Sequence, residues 1–310
     1  MGGMKFTLSA RQPFALQPVV KSHGWVQLAP FKLDEGQGNP DDLKNATVRK
    51  KPPLRLTYID RLSNGRIIEY EIKQSGKGVQ VQTENLDKFE KAEASQHINW
   101  MLGLDMGFSD FYKFVRMEPK LAHARRAARG RILRSPTFFE DVIKTILTTN
   151  TLWAATIRMN LNLINTFGGA IAANGKKAFP TPGQIAAAKP DVLRKDVRVG
   201  YRAPALHELA DRVASGELDL EAFKHSPLST ADLRAELLKI NGVGPYAAAN
   251  LLMILGRHDF IPIDSWALKL VSHEWYRGKP VTPKQVERRF NKWGSYKGLA
   301  YWLWDWKFTG

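Results

Sequence analysis

Leu233-Arg234-Ala235-Glu236-Leu237-Leu238-Lys239-Ile240-Asn241-Gly242-Val243-Gly244-Pro245-Tyr246 holds a helix, a glycine turn and the start of a second helix in one short run. Ser229 or Thr230 can cap the first helix, and Leu233, Leu237, Leu238 and Ile240 fall on one of its faces. Asn241-Gly242-Val243-Gly244 breaks it, because two glycines admit backbone geometry closed to other residues. Pro245 then suits the first position of a second helix over 246–255, which is almost wholly apolar and therefore predicted to be buried. The first N–H groups of such a helix have no intrahelical acceptor, so a phosphate oxygen can accept from them. The same turn also fits a plain helix–helix connection that binds nothing.

Working downstream, Phe260-Ile261-Pro262-Ile263-Asp264-Ser265-Trp266 is an apolar, strand-like approach to a single carboxylate that opens another helix. Asp264 fits two roles there, a helix N-cap or a carboxylate placed for chemistry. Upstream, Ser135-Pro136-Thr137 signals the start of a helix over 138–147, with further helices predicted over 206–214 and 233–240. Arg125-Arg126-Ala127-Ala128-Arg129-Gly130-Arg131 reads either as a solvated face or as a phosphate-binding surface. The last segment holds Trp293, Trp302, Trp304 and Trp306, which is expected to be helical and packed on the body.

The first 90 residues have a different rhythm. Runs over 54–59 and 66–72 flank Asn64-Gly65, a strong hairpin dipeptide, and Ser75-Gly76-Lys77-Gly78 leads into a third alternating run over 79–83. This predicts an antiparallel meander, preceded by a polar surface loop from Pro40 to Pro53. The expected division is an N-terminal β-sheet domain over 1–90 and a helical body over 91–310, with the hairpin at 230–256.

Charge and composition narrow the partners. Lys and Arg number 46 against 30 Asp and Glu, a net +16 that favours a polyanion such as nucleic acid. There is no cysteine, which excludes disulfides, thiol nucleophiles and thiolate-bound zinc or iron–sulfur clusters. The seven histidines are scattered without metal-ligand spacing, so neither a metal nor another cofactor is expected. No apolar run reaches the roughly 18 residues of a membrane helix, and the N-terminus lacks a signal-peptide core. The reading is an intracellular protein with no membrane partner, and a monomer.

Taken together, Gly242-Val243-Gly244, the apolar helix from Tyr246 and Ile261-Pro262-Ile263-Asp264 resemble the helix-hairpin-helix DNA glycosylase superfamily. The 8-oxoguanine and 3-methyladenine branches are the most similar. The resemblance covers about residues 95 to 306 well and the first 90 in outline. It implies an α+β fold: a mostly helical, two-lobed body with a helix-hairpin-helix motif, joined to an N-terminal antiparallel sheet. It also implies base excision from double-stranded DNA containing a damaged base, with Asp264 as the catalytic carboxylate and Gly242, Val243 and Gly244 on the DNA backbone. Asn150, after Ile146-Leu147-Thr148-Thr149, sits where the family inserts an asparagine into the duplex, unless it only caps the helix. Val199-Gly200-Tyr201-Arg202-Ala203 is similar to the 8-oxoguanine branch loop, where tyrosine wedges beside the vacated base and arginine faces the orphaned partner. A buried anchor and a surface cation are the plainer readings of Tyr201 and Arg202. Trp293-Gly294-Ser295-Tyr296-Lys297-Gly298-Leu299-Ala300 resembles a late helix of both branches and puts Tyr301 where the base face would be read.

Departures from the family pattern carry as much information. Bifunctional relatives hold a lysine where this chain holds Tyr246, and a phenol cannot form the imine through which they nick DNA. The resemblance therefore implies a monofunctional glycosylase, with Tyr246 and Tyr301 in the base pocket. An aromatic at 246 suits the electron-poor, cationic bases of the alkylation-repair branch. Ala155 and Tyr301 stand where the 8-oxoguanine branch grips cytosine and reads its base, which weakens the 8-oxoguanine alternative. A non-catalytic protein that only senses damaged DNA is the alternative of another class.

Overall fold

The computed structural model describes residues 3–35, 53–171 and 174–307. Most of the Pro40–Pro53 stretch, expected as a surface loop, lies outside the described residues. The meander is present as β3 (Arg55–Arg61), β4 (Ile67–Ser75) and β5 (Gly78–Thr83). Two further strands, β1 (Met4–Ser9) and β2 (Phe31–Asp34), extend it to an antiparallel sheet of order β1-β5-β4-β3-β2. Both added strands are edges. Each is paired on one side only, so neither needed the full alternation that marks a central strand. Asn64-Gly65 closes the β3–β4 hairpin through a three-residue loop, with Gly65 N–H donating to the Leu62 carbonyl and Gly65 at φ +85°. On the inner face, Leu56, Tyr58, Ile68, Tyr70, Ile72, Val79 and Val81 are all buried against the helices.

The change to helix comes between Thr83 and Lys88. The Lys88–Leu102 helix starts on a reciprocal cap, Asp87 accepting from Phe89 and Glu90 N–H while Glu90 accepts from Asp87 N–H. The predicted helix at 138–147 is observed as Phe138–Thr148, with Thr137 Oγ1 accepting from Glu140 N–H. Its residues from Phe138 to Leu147 are all buried, as expected of a helix surrounded by other elements. It carries charge into that interior. Lys144 Nζ lies 2.6 Å from Glu140 Oε1, and Glu140 Oε2 accepts from the Tyr58 hydroxyl on β3 at 2.7 Å. The ion pair and the Tyr58 bond offset the burial of these charges, which in isolation would cost several kcal/mol, on the order of the ionic desolvation penalty. They also pin the helix to the sheet, and the apolar core runs without interruption between the two.

Two expectations are corrected by packing. Arg131, in the basic run, is not a phosphate ligand: it is buried and donates to the carbonyls of Arg11, Pro13, Gly103 and Met106. Arg125, Arg126 and Arg129 of the same run remain exposed. The tryptophan-rich end is only partly helical, as a 3-10 turn at Asn291–Tyr296, a helix at Lys297–Leu303 and an extended tail. Trp293, Trp304 and Trp306 cluster with Trp275, Phe290 and Tyr301, while Trp302 faces elsewhere. Among the described residues, no helix is long and apolar enough to cross a membrane.

Candidate active site and nucleic-acid interface

The glycine hairpin forms as its sequence dictates. Ser229 Oγ accepts from Asp232 N–H to start the Thr230–Leu238 helix. The chain turns at Ile240, whose carbonyl accepts from Val243 N–H, and re-enters helix at Pro245–Ile254. The two glycines do different work. Gly242 adopts φ +86°, and a Cβ there would lie 3.2 Å from Ala205 Cβ and 3.3 Å from Ile146 Cγ2. Gly244 adopts φ −88° and a Cβ on it would meet nothing within 4 Å. Nothing inside the protein requires a glycine at 244; its open side faces outward. Gly244 provides no side-chain cap and Pro245 has no N–H, so the N–H groups of Tyr246 and Ala247 at the helix start have no intrahelical acceptor.

Those groups face a groove of about 910 Å³ that also takes in Asn150, Tyr201, Arg202, Gly242, Val243, Tyr246 and Asp264. Asp264, Gly242, Val243, Gly244, Asn150, Tyr201, Arg202 and Tyr246 thus line one groove, and Tyr301 does not. Asn150 stands just beyond the Phe138–Thr148 helix in the left-handed region, φ +46°, and is exposed. Asparagine tolerates that conformation better than most residues. Its Nδ2 is 3.5 Å from the Tyr201 hydroxyl. Tyr201 is 65% exposed, so it is no buried anchor.

Arg202 departs from expectation. It is buried, and its guanidinium donates to the carbonyls of Ile146, Val199 and Thr149. Ile146 and Thr149 belong to the end of the helix that precedes Asn150, where a cation is favoured, and Arg202 adds to the bonds that Ile146 accepts from Thr149. Arg202 thus braces the loop carrying Asn150 instead of facing an orphaned base.

A second, smaller space of about 280 Å³ opens beside the groove. Thr148, Thr151, Tyr246 and Asp264 line both, forming a neck between them. Asp264 is the N-cap of the Ser265–Trp275 helix, with Oδ1 accepting from Ala267 N–H at 2.7 Å. Capping engages one oxygen, so the two roles open to Asp264 in the sequence are compatible. Its second oxygen has no hydrogen bond among the described residues. Burial, and then the neighbouring Asp264 charge, push the Tyr246 phenol above its ordinary pKa. Tyr301 is raised by the same causes, burial first and then Asp264 and Tyr246, and so remains a protonated phenol. It is buried and does not line the cavity, which corrects its assignment as a pocket wall.

The remaining walls were not singled out from the sequence. His23, Gly24 and Trp25 come from a 3-10 turn in the first third of the chain, Trp153 from the helix after Asn150, and Asn250 and Trp302 from later helices. Trp302 was grouped with the core tryptophans. Only Asn250 carried a signal, as a lone polar residue within an otherwise apolar helix; its Nδ2 donates to the Tyr246 carbonyl. Burial, aided by the charge of Lys144, lowers the His23 imidazole to about 4. The ring is therefore neutral, and its two nitrogens are occupied by the Leu133 carbonyl at 2.7 Å and Trp25 N–H at 3.1 Å. Nδ1 accepts, so Nε2 carries the proton. No group of three or more His, Asp or Glu side chains arranged for a metal ion occurs among the described residues.

A glycine hairpin thus opens onto a groove, with a carboxylate at the mouth of an aromatic cavity, the arrangement of a helix-hairpin-helix protein. Residues 143–295 match the model of the HhH-GPD superfamily base excision DNA repair proteins. It is 26% identical over 229 residues to the DNA-3-methyladenine glycosylase of Bacillus subtilis, a match covering 71% of this chain and 74% of the relative. The fold is shared with the 3-methyladenine DNA glycosylase of Archaeoglobus fulgidus, at a TM-score of 0.70, 19% identity and 97% coverage of both chains. It is also shared with the 8-oxoguanine glycosylase/lyase of Clostridium acetobutylicum bound to double-stranded DNA, at a TM-score of 0.61, 24% identity and coverage of 79% and 85%.

Proposed function

We propose that the protein is a monofunctional DNA glycosylase that extrudes an alkylated purine, such as 3-methyladenine or 7-methylguanine, from duplex DNA and hydrolyses its N-glycosidic bond. The observation that carries this reading is the neck: Asp264 and Tyr246 stand where the DNA groove meets a cavity walled by Trp25, Trp153 and Trp302. A base cannot reach such a space while stacked, and extrusion costs a few kcal/mol, least for a damaged pair. Gly244 and the free N–H groups behind it hold the strand by its phosphates, Asn150 and Tyr201 fill the vacated space, and Arg202 keeps their loop in place. The protein acts as a monomer on duplex DNA.

Bond cleavage leaves positive charge on the sugar. Asp264, fixed by its helix cap, supplies a preorganised anion beside that charge and can orient the attacking water. No lysine occupies the place from which a relative could form an imine, since Tyr246 stands there. Aromatic faces stabilise cationic groups by about 0.5–2 kcal/mol each. Among the described residues no lysine or arginine lines the cavity, so its electrostatics favour a methylated, cationic purine. The name of the B. subtilis relative points the same way.

An 8-oxoguanine specificity is the second reading, favoured by the exposed Tyr201 beside Asn150 and by the shared fold with the C. acetobutylicum enzyme. The burial of Arg202 and the placement of Tyr301 outside the cavity weaken it. The test is a panel of duplexes carrying 3-methyladenine, 7-methylguanine, hypoxanthine, 8-oxoguanine or uracil, each scored with and without alkali. Release of methylated purines, with strand breaks only after alkali, is the expected result. Release of 8-oxoguanine alone, or a borohydride-trapped covalent adduct, overturns it.

A further inference from the structure

All three indole N–H groups around the cavity are tied to protein acceptors. Trp25 Nε1 donates to Asp141 Oδ1 at 2.7 Å, Trp153 Nε1 to Gln27 Oε1 at 2.8 Å, and Trp302 Nε1 to the Ser22 carbonyl at 3.1 Å. The rings therefore offer the cavity carbon and π surface, and no indole proton. Two of these acceptors, Ser22 and Gln27, flank the turn that holds Trp25.

The Trp25 arrangement is the most heavily built. Asp141 is fully buried, and its Oδ1 accepts from Ser135 N–H at 2.9 Å as well as from Trp25. Its other oxygen has no hydrogen-bond partner among the described residues. Burying a carboxyl is unfavourable even when partly bonded; a place in the first turn of the Phe138–Thr148 helix and the charge of Lys144 offset part of that cost, and the bond from Trp25 adds to them. Its longest reach is to Trp25, 116 residues away in the chain. The indole is fixed from its other side too. His23 Nδ1 accepts from the Trp25 backbone N–H, and the two rings meet edge to face at 4.6 Å. Gly24 brings the turn so close to Trp153 that a Cβ would lie 2.2 Å from its Cζ2 atom.

We propose that Trp25 is a substrate-contacting wall of the cavity and that Asp141 is the residue that positions it, so that the first third of the chain takes part in choosing the base. This rests on the glycosylase reading for its substrate, a flat methylated purine. A ring held by its own N–H cannot tilt to donate to an incoming base, so recognition on this wall works through stacking and shape.

The experiment uses the full chain, labelled with nitrogen-15, in which nine tryptophans give nine indole N–H signals. Trp25→Phe identifies the Trp25 signal by its disappearance. Free 3-methyladenine is expected to shift that signal. Asp141→Val is expected to move it in the absence of any base, whereas Asp141→Asn, which keeps an oxygen acceptor, leaves it near its original position. On duplex DNA carrying the excised base, Trp25→Phe and Asp141→Val are expected to raise KM up to about tenfold, the scale of one aromatic pair, with a smaller change in kcat. Affinity for a duplex with a tetrahydrofuran abasic analogue, which has no base to fill the cavity, stays within twofold, and Asp141→Asn restores KM. The proposal is overturned by a Trp25 signal indifferent to free base, by unchanged KM, or by an equal loss of affinity for the abasic duplex. If the wild type releases no base from any duplex, the glycosylase reading falls, and the indole titration still decides whether Trp25 faces a ligand.

Discussion

The hairpin groove and the inner wall of the cavity are neighbours across Asp264, yet they are built on opposite principles. The groove is made from short runs in which adjacent residues cooperate: Gly242 to Ala247, Thr149 to Asn150, Gly200 to Arg202. It presents backbone N–H groups and a few exposed side chains. The inner wall joins residue 25 to 141, 27 to 153 and 22 to 302, and presents rings with their polar atoms turned away. One surface suits a repeating backbone that is the same in every duplex. The other suits a single heterocycle that must be told apart from others.

The sharpest break between the two lies at Asp264. Asp264→Asn keeps a side-chain oxygen for the Ala267 N–H, so the helix cap and the melting temperature should change little. Base release in single-turnover assays should fall about 10²- to 10³-fold, the usual loss when one preorganised electrostatic group is removed. A mutant that releases base as fast as the wild type would remove Asp264 from the chemistry and favour a protein that only binds damage.

Within the groove, the two glycines should separate affinity from stability. Gly244→Leu adds bulk on the open, outward side and should weaken binding to undamaged and damaged duplex alike, by about tenfold or more for each charged hydrogen bond lost, with thermal stability preserved. Gly242→Ala forces a side chain into a left-handed backbone against Ala205 and Ile146, and should destabilise the fold by about 1–2 kcal/mol. Calorimetry and fluorescence anisotropy on the pair distinguish these outcomes, and equal loss of stability in both variants would show that Gly244 also serves packing. Arg202→Ala should behave like Gly242→Ala, since the Thr149 carbonyl loses its Arg202 donor and the Ile146 carbonyl keeps only its bonds from Thr149, at about 1–3 kcal/mol. Retained stability with altered opposite-base preference would return Arg202 to the DNA.

The smallest effect concerns pH. His23 and His258 are lowered to about 4 by burial, so each stabilises the fold fully above its unfolded value near 6.5 and loses that contribution as pH falls towards 4. By pH 5 the loss reaches about 2 kcal/mol per histidine. Asp141, raised to about 7 by burial, acts in the opposite sense: its neutral form is favoured in the fold, so its contribution grows as pH falls from 7 towards 4. The net expectation is a modest drop in melting temperature between pH 7 and pH 5. His23→Gln, which retains one donor and one acceptor, should flatten the profile, leaving His258 set against Asp141. An unchanged slope would show that the cavity wall does not sense acid.

How much of this was legible in the sequence follows the same division. The hairpin, the Asp264 cap, the helix behind Asn150 and the β3–β5 meander announce themselves through residues a few places apart, because caps, turns and amphipathic faces are local physics. That Tyr201 stands beside Asn150 is a long-range link that spacing along the chain cannot supply. Arg202 was misread, because one arginine in a loop looks the same whether its donors meet a base or three carbonyls. Ser22-His23-Gly24-Trp25 carried no periodicity and no motif. Its meaning depends on Asp141, Leu133 and Trp153, which the chain brings together only when the sheet docks on the helices.

The neck shared by Thr148, Thr151, Tyr246 and Asp264 has a consequence for the undamaged genome. On the proposed reading, a stacked nucleotide would keep its glycosidic bond on the outer side of that threshold, beyond the carboxylate, however tightly the hairpin gripped the strand. Only a nucleotide whose base had crossed into the aromatic cavity would bring its sugar level with Asp264. Sparing of normal DNA would then follow from distance instead of affinity, and a strongly basic protein would pass along intact duplex without its own chemistry becoming a source of damage.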